Sequence, residues 1–314
     1  FNHRVSVFNP DGTLAFTFGQ QGGQPGPFFE RPNGIAIGPD GSIYVADTWN
    51  YRIQKFTSEG EYVTSWGQRG EYGAAAQAEP VDGFWGPRAV VADAQGQVYV
   101  ADTGNKRVRV YSADGQWLRD IGGGGSGVGQ LDEPSGLALG PNGLLYVADT
   151  WNRRISVFNL DGSPATLFTA ADGTLVNYFR VRAWFDDLGN RPYLAVDPVQ
   201  NLLYVTDPDA GRILVYDVNG TCVGSFGQLN RESPAAAEFA SIGGLDVDEQ
   251  GNVYIADAGS GRILQFSAFP RTAPMQSDSG GGGIVIEIPP EATVDVSAEV
   301  TPEATELPEA TPLG

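Results

Sequence analysis

Five carboxylate–guanidinium pairs recur at one spacing: Asp47/Arg52, Asp102/Arg107, Asp149/Arg154, Asp207/Arg212 and Asp257/Arg262. A buried Asp five residues from an Arg can orient a water or hold an anionic substrate. The stretch ADTWNYRI (46–53), taken alone, therefore has the residue types of an acid/base site. It is not alone, since ADTGNKRV (101–108) and ADTWNRRI (148–155) repeat it, and TDPDAGRI (206–213) and ADAGSGRI (256–263) do so more loosely. Catalysis needs one group in one pKa-shifting environment, whereas five copies mean one task in five places. The pairs therefore read as structural clamps, the Asp accepting N–H groups of a connection and the Arg making bidentate contacts across it. Arg4 in the opening FNHRV is the same Arg without its Asp, so the true N-terminus is expected to lie upstream of Phe1.

The other candidates for chemistry are sparse. His3 is the single histidine and falls where the other copies have Tyr51, Lys106 and Arg153, a surface-loop position unsuited to a catalytic base. Cys222 is the single cysteine, which excludes an internal disulfide and a Cys-cluster metal site, and it reads as a small buried strand residue. The pairs Asp11-Gly12, Asp40-Gly41, Asp114-Gly115 and Asp161-Gly162 are hairpin turns before they are calcium ligands, because calcium needs several converging oxygens.

The clamp aspartates are 55, 47, 58 and 50 residues apart, and a period near 50 with four short strands per unit matches a propeller blade. In the first full unit, GIAI (34–37), the turn GPDG, SIYVAD (42–47), RIQKF (52–56), a Ser-Glu-Gly turn and EYVTSWG (61–67) make a four-stranded meander, a to d. The predicted fold is all-β: a six-bladed β-propeller of four-stranded antiparallel blades within residues 1–269. A half-blade (1–19) supplies strands c and d, and full blades follow at about 32–67, 87–122, 134–168, 192–227 and 242–267. Residues 270–314 form a Gly/Ser then Pro/Thr/Glu-rich tail, too poor in large apolar groups for a core and expected to be mostly disordered. Blade five has no evident strand d. A strand from upstream is preferred for that place over GIVIEI (283–288), which follows a flexible Ser/Gly stretch.

The pattern P-x-G-[ILV]-A-[ILV]…DG-x-[ILV]-Y-V-A-D-T-x-N-x-R-[IV] resembles the NHL repeat and covers residues 1–267, with departures at DPDAGR in blade four and DAGSGR in blade five. The resemblance implies a six-bladed propeller, here of a bacterial NHL-repeat protein cut at its N-terminus, and frequent use in protein or RNA recognition. RNA-binding members show a basic face, whereas this chain carries a formal charge of −19, of which the body holds −12. Phosphate neutralisation by Lys and Arg is thus disfavoured, and no nucleic-acid partner is expected.

Meander parity puts every b–c and d–a connection on one face and the tight a–b and c–d turns on the other. The long connections 20–31, 68–86, 122–133, 164–191 and 228–241 all fall on the first face, which is where binding is expected. Phe29, Phe84 and Leu131, each three residues before a Pro, read as blade-packing anchors. Trp49, Trp151, Tyr72, Trp85, Tyr178 and Trp184 do not fit the repeat and are candidate binding residues. Asn33, Arg88, Ser135 and Tyr193, with Gly243, should enter strand a at the mouth of the central channel.

These features favour a non-catalytic propeller that binds a protein, peptide or glycan through the long-loop face. The alternative is a lactonase- or lyase-like hydrolase with a divalent cation at the channel, which the resemblance to propeller enzymes implies. No cofactor is assigned; a central Ca2+ held by carboxylates and Asn33 belongs to that alternative. No run approaches a membrane span, and the Thr-Pro-Glu tail suggests a surface spacer on an extracytoplasmic, secreted or membrane-anchored protein.

Overall fold

The structure, a computed structural model, describes residues 2–71, 83–181, 184, 191–235 and 237–269. Tyr72 and the whole tail from residue 270, GIVIEI included, lie outside the described residues.

Four antiparallel sheets have the a-b-c-d order. Blade one comprises Ile35–Ile37, Ile43–Asp47, Arg52–Phe56 and Tyr62–Trp66. Blade two comprises Pro87–Ala92, Val98–Asp102, Arg107–Tyr111 and Trp117–Gly122. Blade three comprises Pro134–Leu139, Leu144–Asp149, Arg154–Asn159 and Tyr178–Arg180. Blade four comprises Leu194–Asp197, Leu202–Asp207, Arg212–Tyr216 and Cys222–Phe226. Blade five has three strands, Ile242–Val247, Val253–Asp257 and Arg262–Phe266. Strands b and c of blades one and two are buried along their whole length because a neighbouring blade covers each face, which is why IYVAD and VYVAD are near-continuous apolar runs.

Among the described residues the fold is therefore a β-propeller of five blades, not the six expected. Val5–Phe8 and Leu14–Phe18 form a two-stranded antiparallel hairpin where the half-blade was expected. That hairpin lies between blades five and one. Phe18 packs on Phe29 and Phe56 of blade one, and Phe8–Gly12 share a groove with Tyr254 and Ile263 of blade five. Blade three also differs from expectation. Its fourth strand is Tyr178–Arg180 rather than a segment ending at 168, because a small hairpin (Phe168–Thr169 with Leu175–Val176) is inserted between strands c and d. Residues 164–177 of the connection 164–191 thus belong to the tight-turn side. Cys222, expected to be buried, is exposed at the start of its strand.

Two contacts repeat around the ring. Inner strands approach so closely that a Cβ on Gly34 would fall 2.4 Å from the Arg88 carbonyl, and one on Gly136 would fall 2.5 Å from that of Pro192. On the outside, the c–d turn glycine of blades one to four sits on a side chain from the final strand of the unit before it. Gly60 lies on Phe18, Gly115 on Trp66, Gly162 on Ile121 and Gly220 on Phe179. Phe29, Phe84, Leu131 and Phe239 are fully buried anchors between blades. The d–a connections holding three of them carry short parallel pairs, Gln20–Gln21 with Phe28–Phe29, Gln68–Arg69 with Gly83–Phe84, and Gln228–Leu229 with Glu238–Phe239.

Candidate functional site

The clamps come first because they position everything else on the long-loop face. In all five blades the Asp and Arg are directly opposite each other at the strand ends, and the Arg Nε donates to the Asp at 2.6–3.2 Å. The clamp reaches further than its own turn. Asp47 accepts the Glu30 amide, and Arg52 donates to the carbonyls of Gly23, Gln24 and Phe28, so the b–c turn is tied to the d–a connection beside it. Asp149 and Arg154 do the same with the Asp132 amide and the carbonyls of Ser126, Gly127 and Gln130. Burial pushes the Asp47, Asp102 and Asp149 carboxyls upward, while loop amides, the Asn three residues on and the clamp Arg oppose that shift. Among the described residues, both oxygens of Asp47, Asp102 and Asp149 accept scaffold donors, whereas Asp207 accepts through Oδ2 only.

The residue just before the clamp Arg is the one that varies in kind. Tyr51, Lys106 and Arg153 sit in the left-handed region at φ 57°, 58° and 52°, as does His3 at 48°. Blades four and five place Gly211 and Gly261 there. A side chain in that region costs about 1–2 kcal/mol relative to glycine, so a large residue needs a reason to be there.

In blade three the reason is a cleft of about 310 Å³ lined by Ser126, Trp151, Asn152, Arg153, Arg154, Tyr178 and Arg180. Trp151 is 51% exposed at the tip of the b–c turn. The Arg154 guanidinium lies over the Tyr178 ring at 4.1 Å and is saturated by its clamp, so it forms the floor. Arg153 and Arg180 are exposed on the walls. The cleft thus offers an indole face and two cationic arms on a chain whose net charge is strongly negative.

Blades one and two build a second aromatic surface. Trp49, 43% exposed, meets the Tyr51 ring edge-on. Tyr51 stacks on Trp85 at 5.5 Å, and the Arg69 guanidinium covers Trp85 at 4.9 Å. Trp85 also explains the missing tip of blade two, since a Cβ on Gly104 would lie 1.9 Å from its ring. The indole from the d–a connection occupies the space that a Trp at position 104 would take.

Asn33, Arg88, Ser135 and Tyr193, expected at the channel mouth, fall into two local groups of contacts. The Tyr193 hydroxyl donates to Asn33 Oδ1 at 3.2 Å across 160 residues of chain. Ser135 and Thr150 share a hydrogen bond of 2.7 Å. Burial lowers the Arg88 guanidinium from its ordinary value and Arg191 adds repulsion, while Glu133 supports its charge. Burial in turn raises the Glu133 carboxyl. Among the described residues, no group of three or more His, Cys, Asp or Glu side chains could hold a metal ion.

Of the predicted binding residues, Trp151 and Tyr178 share the blade-three cleft, and Trp49 and Trp85 share the ladder. Trp184 does not belong with them. It is 2% exposed, and its Nε1 donates to the Thr206 carbonyl inside the core between blades three and four. Sequence reasoning passed over Tyr51, Arg69, Arg153 and Arg180. The available signal was the position before the clamp Arg, glycine in blades four and five but large in blades one to three.

The NHL repeat family matches residues 29–56, 84–111 and 131–158, which are blades one to three from anchor to strand c. NHL repeat-containing protein 3 of Mus musculus is 32% identical over 126 residues, 38% of this chain and 34% of that protein, so the match spans about a third of the relative. Among solved structures, one titled as a nidogen/laminin complex superposes with a TM-score of 0.56 at 17% identity, covering 84% of this chain and 85% of that one. A streptogramin B lyase superposes at 0.51 with 15% identity, covering 84% and 69%, and at these identities both show the fold alone. Three matched repeats on three blades that share one clamp geometry place the chain among the NHL-repeat proteins, as a β-propeller.

Proposed function

We propose that the protein is a non-catalytic binding propeller whose long-loop face takes a protein or peptide partner, with the blade-three cleft as its anchor. The observation that carries the reading is Arg153, a large cation held in a left-handed conformation beside exposed Trp151 and Arg180, where blades four and five use glycine. Trp, Tyr and Arg around a small cleft are the residue types that dominate binding energy at interfaces. The partner segment is expected to present an Asp or Glu carboxylate to Arg153 and Arg180 and an aromatic or Pro ring to Trp151. The solved nidogen/laminin complex gives a protein-binding precedent for the fold, and the lyase gives one for the enzyme alternative. The cleft supports the first, because an indole, a phenol ring and cationic side chains line it. We further place the hairpin Val5–Phe8/Leu14–Phe18 in the sixth position of the ring, and the protein outside the cytoplasm on the strength of its Thr-Pro-Glu tail.

The test is to pan a random peptide library, with a glycan array run in parallel, against the protein and its Trp151→Ala and Arg180→Ala variants. Acidic-aromatic peptides should be enriched, and each variant should weaken them about 10-fold or more, near 1.4 kcal/mol. Binders that hold equally to both variants would remove the cleft from the account.

A further inference from the structure

We propose that a second binding site lies where the inner strands begin, and that it takes a small monocarboxylate between the Arg88 and Arg191 guanidiniums, with Asn33 as a further donor. The site is separate from the blade-three cleft and does not rest on it.

Strand a of each blade touches strand a of the next, from Ile35–Ile37 through Pro87–Ala92, Pro134–Leu139 and Leu194–Asp197 to Ile242–Val247, so these strands form the inner ring. Tyr193 stands just before strand a of blade four and Asn33 just before strand a of blade one, and the Tyr193 hydroxyl donates to Asn33 Oδ1 at 3.2 Å. Blades two and three stand between them in the ring, so the phenol side chain reaches across the space that the inner strands enclose. Because Asn33 accepts through Oδ1, its Nδ2 donors point elsewhere, and among the described residues nothing accepts from them.

Arg88 opens strand a of blade two, and Arg191 precedes that of blade four. The two guanidiniums repel each other, and both act on the Tyr193 hydroxyl, so they share the place that Tyr193 spans. Among the described residues neither one donates a hydrogen bond or forms an ion pair. Glu133, ahead of strand a of blade three, supports the Arg88 charge from beyond ion-pair distance. The repeat does not ask for this arrangement. The position of Arg88 holds Asn33, Ser135, Tyr193 and Gly243 in the other blades, and that of Arg191 holds Arg31, Gly86, Glu133 and Ser241. Like charges held together without acceptors in a half-buried place are unfavourable, and an anion between them relieves the repulsion.

The surrounding charge selects the class of anion. Two Arg against Glu133 leave a single positive charge, which a carboxylate neutralises, whereas a phosphate dianion would exceed it and face Glu133. The planar guanidinium fork also matches a planar carboxylate. The Tyr193 ring offers an apolar wall to the carbon attached to it. Asn33, Arg88 and Tyr193 are half-buried and Arg191 is exposed, and all four lie at the d–a ends of their strands, so a ligand enters from the long-loop face.

The test is saturation-transfer NMR on the full chain with lactate, benzoate and inorganic phosphate as probes. It is repeated on Arg88→Gln, on Arg191→Gln and, as a control of equal charge change, on Arg231→Gln, an exposed position in another connection. At least one of the two carboxylates should bind saturably, and Arg88→Gln and Arg191→Gln should each weaken it about 10-fold or more while Arg231→Gln leaves it unchanged. Phosphate should not displace it. No saturable carboxylate binding, unchanged affinity in either site variant, an equal loss in Arg231→Gln, or displacement by phosphate would overturn the proposal. Arg191 is exposed, so its variant still decides if Arg88→Gln fails to fold.

Discussion

Blades one to three and blades four and five close their b–c connections with the same Asp–Arg pair but surround it differently. In the first three an Asn bridges the clamp to the neighbouring connection, as Asn50 does to the Gly22 carbonyl, Asn105 to Gly70 and Asn152 to Gly125. Ala210 and Ser260 stand in its place in blades four and five, and the Arg212 side chain is 40% exposed against 9% or less for Arg52, Arg107 and Arg154. The three Asn-bridged blades also carry the large left-handed residues, while the other two use glycine. In these five blades the tightly bound clamp thus accompanies each large side chain held in the left-handed conformation.

The clamp itself offers the largest effect with which to break this comparison. Asp102→Ala should destabilise the protein by about 3–5 kcal/mol, because it removes the buried acceptor shared by the Trp85 amide, Asn105 and Arg107 Nε. Asp207→Ala should cost visibly less, since the half-exposed Arg212 keeps its water. Urea unfolding of the two variants measures this, and equal losses would mean that the blades do not differ.

Next comes the Asn bridge. Asn105→Ala removes donors to Asp102 and to the Gly70 carbonyl in a buried setting and should cost about 1–3 kcal/mol. The left-handed position follows. Gly261→Arg should lose about 1–2 kcal/mol through backbone strain alone, because a Cβ there meets nothing within 4 Å. Thermal unfolding checks the sign, and an unchanged melting temperature would mean that the left-handed position carries no strain.

The smallest effect comes from the tight-turn face, which serves as a control. The exposed carboxylates of Asp11, Asp161 and Asp172 are held below the ordinary aspartate range by the hydroxyl and amide of Thr13, Ser163 and Thr174. Their contribution is present above about pH 4 and is lost as the pH falls through the lowered folded values. Asp161→Asn should therefore flatten the decline in melting temperature between about pH 4 and 2 without touching binding.

Much of this was legible in the chain because it repeats. The strands of blades one, two and four, the clamp and the anchors Phe29, Phe84 and Leu131 all follow from counting copies. Misplacements fell where a copy departs from the rest. Strand d of blade three was hidden behind an inserted hairpin, and Trp184, an indole outside the repeat, proved to be core. Arg153 and Arg180 were missed because a cation in a loop looks like any solvated charge until the fold sets it beside Trp151.

The most direct test of the recognition account is the affinity of one variant, Arg153→Gly, for an acidic-aromatic peptide enriched on the parent protein. The account predicts a folded protein that binds the peptide at least 10-fold more weakly. Affinity equal to that of the parent would contradict it.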